Sequence, residues 1–171
     1  HPRRSRRGGR HARILPIEDD PLNADLFVGG LEVAAAGVAW ALRMAGYPAS
    51  DIDAAIYSDL SIGAGVSSRS ALEMAFATLW NHLDGLQIAP ADLAKICQRC
   101  ENDFVGVQSG IMDPLASALG RKGCAMLVDT RTLDVRHLEI PNDLVLALCE
   151  TGVNRSLDGS AYNERRSECV S

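Results

Sequence analysis

Three acids and one run of small residues hold most of the chemistry this sequence can offer. Glu101, Asp103 and Asp113 lie within "CENDFVGVQSGIMD", where Gly106 and Gly110 bracket a segment expected to be a loop. A carboxylate at a helix end and another in the following glycine-containing turn can share a site. One would hold a magnesium ion through oxygen. The other would take a proton from a hydroxyl nucleophile. Each acid taken singly is more simply a solvated surface group.

The matching half is "SIGAGVSSRSALEMA", residues 61–75. Gly63 and Gly65 allow torsions barred to other residues and let backbone N–H groups approach a ligand closely. A helix starting near Ser68 would turn its first N–H groups and its positive dipole end toward that loop, an anion site suited to phosphate. Ser67, Ser68 and Ser70 add hydroxyls. On its own the loop also fits an ordinary serine-capped connection. It is neither a Walker A loop, lacking Gly-Lys-Ser/Thr, nor a dinucleotide fingerprint, lacking the third glycine. Combined with the acids it completes the parts needed for phosphoryl transfer: positioning, metal, anion donors and an orienting base.

The elements that would position these residues can be read from periodicity. Apolar residues recur at three and four from Leu26 to Met44, a helix closed by Gly46 and Pro48. "DAAIYSDL" alternates and predicts a strand. "SALEMAFATLWNHL" predicts a helix ended by Asp84-Gly85, and "APADLAKICQRCENDFVG" a further one with Pro90 in its first turn. "QSGIMDPLASALG" reads as a turn followed by a helix. The period then switches to two, so "CAMLVDT", "DVRHLEI" and "LVLALCE" are expected to be three strands, followed by a polar helix in "SAYNERRSECV". The order predicts an α+β sandwich rather than a doubly wound parallel sheet.

Bulk properties bound the answer further. The chain has 171 residues, 47% apolar and 23% charged, which suits one globular domain. Nothing approaches the roughly 18 consecutive apolar residues of a membrane span. The net charge of −5 conceals a basic start: "HPRRSRRGGRHAR" has six arginines and no acid. Residues 1–20 show no sustained period and are expected to be an arginine-rich extension, disordered or non-native. That stretch has no aromatic residue for base stacking and the rest is acidic, which argues against a nucleic-acid partner. Five cysteines and no secretion signal predict reduced thiols in the cytoplasm. "CQRC" has metal-like spacing without a second pair, and Cys97 and Cys100 fit as helix core residues.

The loop resembles the ATP-binding motif of the GHMP small-molecule kinases, Pro-x-Gly-x-Gly-Leu-Ser/Gly-Ser-Ser. "CENDFVGVQSGIMD" closely resembles the signature of the galactokinase branch, Glu-Asn-x-Phe-Val-Gly-Val-x-x-Gly-Ile-Met-Asp. "TGVNRSLDGSAYNERRSEC" resembles the segment that follows it there, with a Ser-x-Tyr-x-x-Arg-Arg core. The resemblance implies ATP-dependent phosphorylation of a sugar 1-hydroxyl, galactose to galactose 1-phosphate, with ATP and Mg2+. Asp113 would be the catalytic base and Glu101 the Mg2+ ligand. Gly63, Ala64, Gly65, Val66, Ser67, Ser68, Arg69 and Ser70 would form the phosphate loop. Gly110, Asp113 and Tyr162 would contact the sugar. Residues 21–171 would be the family's N-terminal domain, a ribosomal protein S5 domain 2-like sandwich, incomplete and lacking the C-terminal ferredoxin-like domain.

Departures from the pattern qualify that expectation. Ser61 stands where the family has proline, Val66 where it has leucine, and Pro114 where it has glutamine. The opening sugar-binding motif has no convincing counterpart in "GGRHARILPIEDD". Arg69 replaces a serine that ligates Mg2+, and a guanidinium cannot coordinate a metal. It would repel Mg2+ beside Glu101 or pair with Glu101 itself. In one reading it replaces part of the metal's charge and contacts the phosphates; in the other it marks a chain that no longer catalyses. Impaired catalysis is expected, with a non-catalytic sugar- or nucleotide-binding regulator, or an inactive fragment, as the alternative.

Overall fold

The computed structural model describes residues 13–16, 24–60, 65–147, 149, 163, 167 and 168. In chain order these form β1 (Arg13–Pro16), α1 (Ala24–Met44), β2 (Asp53–Ile56), α2 (Ser68–Leu83), α3 (Pro90–Arg99), a π-turn (Cys100–Val105), α4 (Met112–Leu119), β3 (Cys124–Val128) and β4 (Val135–Glu139). Helices and strands are mixed as an α+β arrangement requires.

Residues spaced by three and four build the core. Leu31, Ala34, Ala35, Val38, Ala41 and Leu42 form the buried stripe of α1. Many are alanines, which lets neighbouring helices come close. Ser70, Glu73, Met74, Ala77 and Trp80 form the stripe of α2. Leu93, Ala94, Ile96 and Cys97 do so on α3, and Leu115 on α4. Trp80 is anchored by its indole N–H, which donates to the Ser50 carbonyl at 2.9 Å. Both α1 and α2 end in Schellman closures: Tyr47 N–H reaches Leu42 O and Leu86 N–H reaches Asn81 O. Gly46 and Gly85 take the left-handed torsion that this closure demands.

The strands form two pairs. β1 and β2 are parallel, with Arg13 opposite Asp53 and Pro16 opposite Ile56. A parallel pair needs a long crossover, which α1 supplies. β1 thus falls in the segment whose sequence shows no sustained period. β3 and β4 are antiparallel, with Cys124 opposite Glu139 and Val128 opposite Val135. The His137 ring donates from Nε2 to the Leu119 carbonyl at 2.8 Å, tying this hairpin to the end of α4.

Three sequence expectations need correction. β2 stops at Ile56, so the alternating run is strand for only its first half. The helix expected through "CQRCENDFVG" is α-helical only to Arg99 and widens into the π-turn. The third strand expected in "LVLALCE" is absent from residues 144–147. Val145 and Leu146 are 90% and 82% exposed. No strand among the described residues lies beside them, and an unpaired strand leaves its backbone groups to water. The expected final helix lies outside the described residues, apart from Asn163, Ser167 and Glu168, which are helical.

Candidate functional site

Among the described residues nothing accepts from the opening backbone N–H groups of α2. Ser67 precedes it with φ of 59°, a left-handed torsion uncommon for a residue with a side chain, and makes no side-chain cap. The first intrahelical bond runs from Ala71 N to Ser67 O, so the N–H groups of Ser68, Arg69 and Ser70 have no helical acceptor. Gly65 is exposed with φ of 74°, and Val66 to Arg69 are half-buried. Gly63 and Ala64 lie outside the described residues.

The π-turn carries Glu101 inward. A π-turn inserts an extra residue per turn relative to an α-helix and often marks functional sites. Its seat is Gly37 of α1. A Cβ there would meet Cys100 Sγ at 2.5 Å and Phe104 Cδ1 at 2.9 Å. Phe104 lies against Trp40 with ring centroids 5.8 Å apart, and the Arg99 guanidinium sits over the same indole. The turn thus leaves Cys100 and Glu101 fully buried. Asp103 points outward and pairs with Arg99 at 3.2 Å on the surface, so it does not join the other acids.

Glu101 meets Arg69. The guanidinium Nε donates to Oε1 and Nη2 to Oε2, a bidentate fork. Glu101 is 1% exposed, whereas the Arg69 side chain is 38% exposed. One edge of the guanidinium therefore faces the core and the rest is open to solvent. Two motifs far apart in sequence are joined by this ion pair.

Glu73 was not singled out from the sequence, yet it completes the cluster. It lies one turn beyond Arg69, fully buried on α2. Its Oε1 accepts from the Cys100 thiol at 3.7 Å, and its Oε2 has no donor among the described residues. Burial, then hydrogen bonding to Glu101, then the Glu101 charge push its pKa from 4.5 up to about 9. A protonated Glu73 satisfies the orphaned oxygen, because it turns an acceptor into a donor toward Glu101. The signal was present in the sequence: Glu73 falls on the Ser70–Ala77–Trp80 stripe, where a solvated acid has no place. Cys97 and Cys100 are core residues as their spacing implied, and burial raises both thiols well above their ordinary pKa.

Asp113 stands in the first turn of α4, half-buried, with no hydrogen bond or ion pair among the described residues. Pro114 follows it fully buried, tolerated because a first-turn N–H needs no helical acceptor. The loop from the π-turn to α4 is tied at several points. Gln98 Nε2 donates to Ser109 O at 3.2 Å and Gln108 Nε2 to Asn102 O at 3.2 Å. Asn163 clamps it from a distant part of the chain. Its Oδ1 accepts from Gln108 N–H at 3.0 Å, and its Nδ2 donates to Gly106 O at 3.2 Å. Sequence reading passed over Asn163, although it lies inside the Ser-x-Tyr-x-x-Arg-Arg core. Gly110 is exposed, with open space where a Cβ would stand. Tyr162 lies outside the described residues.

This donor set does not fit a divalent cation. Magnesium takes near-octahedral oxygen ligands and is commonly anchored by one or two carboxylates. Here Arg69 occupies both Glu101 oxygens, and burial disfavours the charged form of Glu73. Among the described residues no three metal-ligating side chains converge.

The fold is a mixed helix–strand domain in which an ion pair joins the start of one helix to a buried acid turn. Its likeness to known proteins says which family that is. Residues 33–121 match the family described as GHMP kinases N terminal domain, and the chain belongs to that family. Among curated relatives, a galactokinase of Roseiflexus sp. (strain RS-1) is 45% identical over 133 residues, 78% of this chain and 34% of that protein. A galactokinase of Thermococcus kodakarensis is 39% identical over 130 residues, 76% of this chain and 37% of that protein. The chain thus spans about a third of the length of the curated relatives it matches. The fold is similar to that in the crystal structure of Lactococcus lactis galactokinase complexed with galactose. There the TM-score is 0.72 at 24% identity, covering 95% of this chain and 45% of that one. No helix among the described residues is long and apolar enough to cross a membrane.

Proposed function

We propose that the chain carries the phosphate- and sugar-facing surface of a galactokinase-like sugar kinase, moving the terminal phosphoryl group of ATP to a sugar 1-hydroxyl. Galactose is the substrate suggested by the curated relatives. The open N–H groups of Ser68, Arg69 and Ser70, with the serine hydroxyls, hold the phosphates. Asp113, a carboxylate with no partner among the described residues, accepts the proton of the attacking hydroxyl. Gly110 leaves room for the sugar to approach the backbone, and Tyr162 contacts it. Asn163 holds the loop between them in place.

The observation that carries this reading is the Arg69–Glu101 contact. It supports the convergence of the α2 start and the acid turn on one site, which phosphoryl transfer requires. The same contact favours slow turnover, because it engages a carboxylate that the family's chemistry leaves open. It also favours a second reading, in which the chain binds nucleotide and sugar without transferring phosphate.

Transfer from ATP to galactose by the full chain tests both. Slow transfer is expected, and Asp113→Asn should lower it by at least about a hundredfold, the usual range for losing a general base. Asp113 makes no hydrogen bond or ion pair among the described residues, so thermal stability should be unchanged. A variant with undiminished turnover would remove Asp113 from the proton-transfer role. Ligand binding with no transfer in either protein would favour the binding-only reading.

A further inference from the structure

The mismatch between the site and a divalent cation has a counterpart in the chain itself. Arg69 is the second residue of α2, so its positive charge is fixed where the helix dipole is already positive. Two of its five N–H donors are spent on Glu101, and the remainder lie on the edge of a side chain that is 38% exposed. Its position is also enforced. Moving the guanidinium away would leave the Glu73 and Glu101 carboxyl groups buried side by side without their cation.

We infer that Arg69 is a built-in substitute for the divalent ion, and that this chain binds a nucleotide polyphosphate in its metal-free form. The inference rests on the proposed reading of the α2 start as a phosphate site. A divalent ion reaching Glu101 would have to displace a bidentate guanidinium and then sit beside it, like charge against like. A metal-free polyphosphate meets the reverse situation. The helix N–H groups, the half-buried Ser67 and Ser68 side chains and the solvent-facing edge of Arg69 all present donors or positive charge to it. The carboxylate that would repel it is already neutralised from within the chain.

Calorimetric titration of the full chain with ATP, in excess EDTA and in excess magnesium, tests this directly. The affinity in EDTA should equal or exceed that in magnesium; a metal-free constant weaker by more than about threefold, just under half of the roughly 1.4 kcal/mol that a tenfold change represents, would count against the inference. Binding only in magnesium would overturn the inference while sparing the phosphate-site reading. Binding in neither condition would overturn both. A double variant, Arg69→Met with Glu101→Gln, removes both charges without stranding either. Its metal-free affinity should fall by at least about tenfold, as expected for loss of a charge-assisted contact. An unchanged metal-free affinity would show that Arg69 does not contact the phosphates and would overturn the inference by a second route.

Discussion

A buried acid one helical turn from an arginine is the most informative residue in this molecule. Glu73 sits among apolar side chains, and its proton keeps it there. Its pKa rises from 4.5 to about 9 because burial penalises the anion and the Glu101 carboxylate opposes it. Between those values the folded chain binds a proton that the unfolded chain has released. Stability from this group is therefore full below pH 4.5 and is lost as pH rises toward 9. The limiting slope for one proton is about 1.4 kcal/mol per pH unit. Glu73→Gln keeps a donor toward Glu101 and removes the titration. We expect its unfolding free energy to fall less steeply than that of the unsubstituted chain between pH 6 and 8. Equal slopes in chemical denaturation would show that Glu73 is ionised when folded. Arg69 was legible in the sequence because it breaks a motif. Glu73 breaks no motif; its only mark in the sequence is an acid on the buried stripe of α2.

At the scale of elements, the π-turn decides where Glu101 points. An α-helix continued through "CENDFV" would carry each of these side chains to a different bearing. The turn is held by a close approach that only glycine allows, since a Cβ on Gly37 would lie 2.5 Å from Cys100 Sγ. Gly37→Ala should cost about 1–3 kcal/mol, the usual range for overpacking a core contact. Cys100→Ala in the same chain removes the colliding sulfur. The two changes should couple by about 0.5–3 kcal/mol in a double-mutant cycle, and simple additivity would contradict the packing account. Most helices were legible from their stripes, and α1, α2 and α4 begin and end close to where caps, glycines and prolines place them. The π-turn was hidden because the spacing of Cys97, Cys100 and Phe104 is that of an ordinary helix. What widens it is Gly37, in another helix altogether. The strand expected at 144–147 failed for the opposite reason. Its alternation was clear, but a strand also needs a neighbour, and sequence pattern alone does not supply one.

At the scale of the whole molecule, function requires convergence. The start of α2, the π-turn, the loop before α4 and the segment holding Asn163 come from four separate stretches of sequence. Hydrogen bonds and one ion pair connect them in sequence: Arg69 to Glu101, and Asn163 to Gly106 and Gln108. The resemblance to galactokinases gave the order of these motifs but not the contacts between them. A second cleft, of about 460 Å3, is lined by Asp51, Ile52, Asp53, Ala54, Ala55, Leu79 and Leu83. It lies toward the far end of α2, about 23 Å of helix from Ser68. The two locations make opposite predictions about where a nucleotide acts. Amide chemical shifts of the full chain, recorded as ATP is added, separate them most directly. The largest changes are expected at Gly65 to Ser70, with smaller ones at Glu101 and in the loop leading to Asp113. Changes centred on Asp51 to Ala55 and Leu83, with the start of α2 undisturbed, would contradict a phosphate site there.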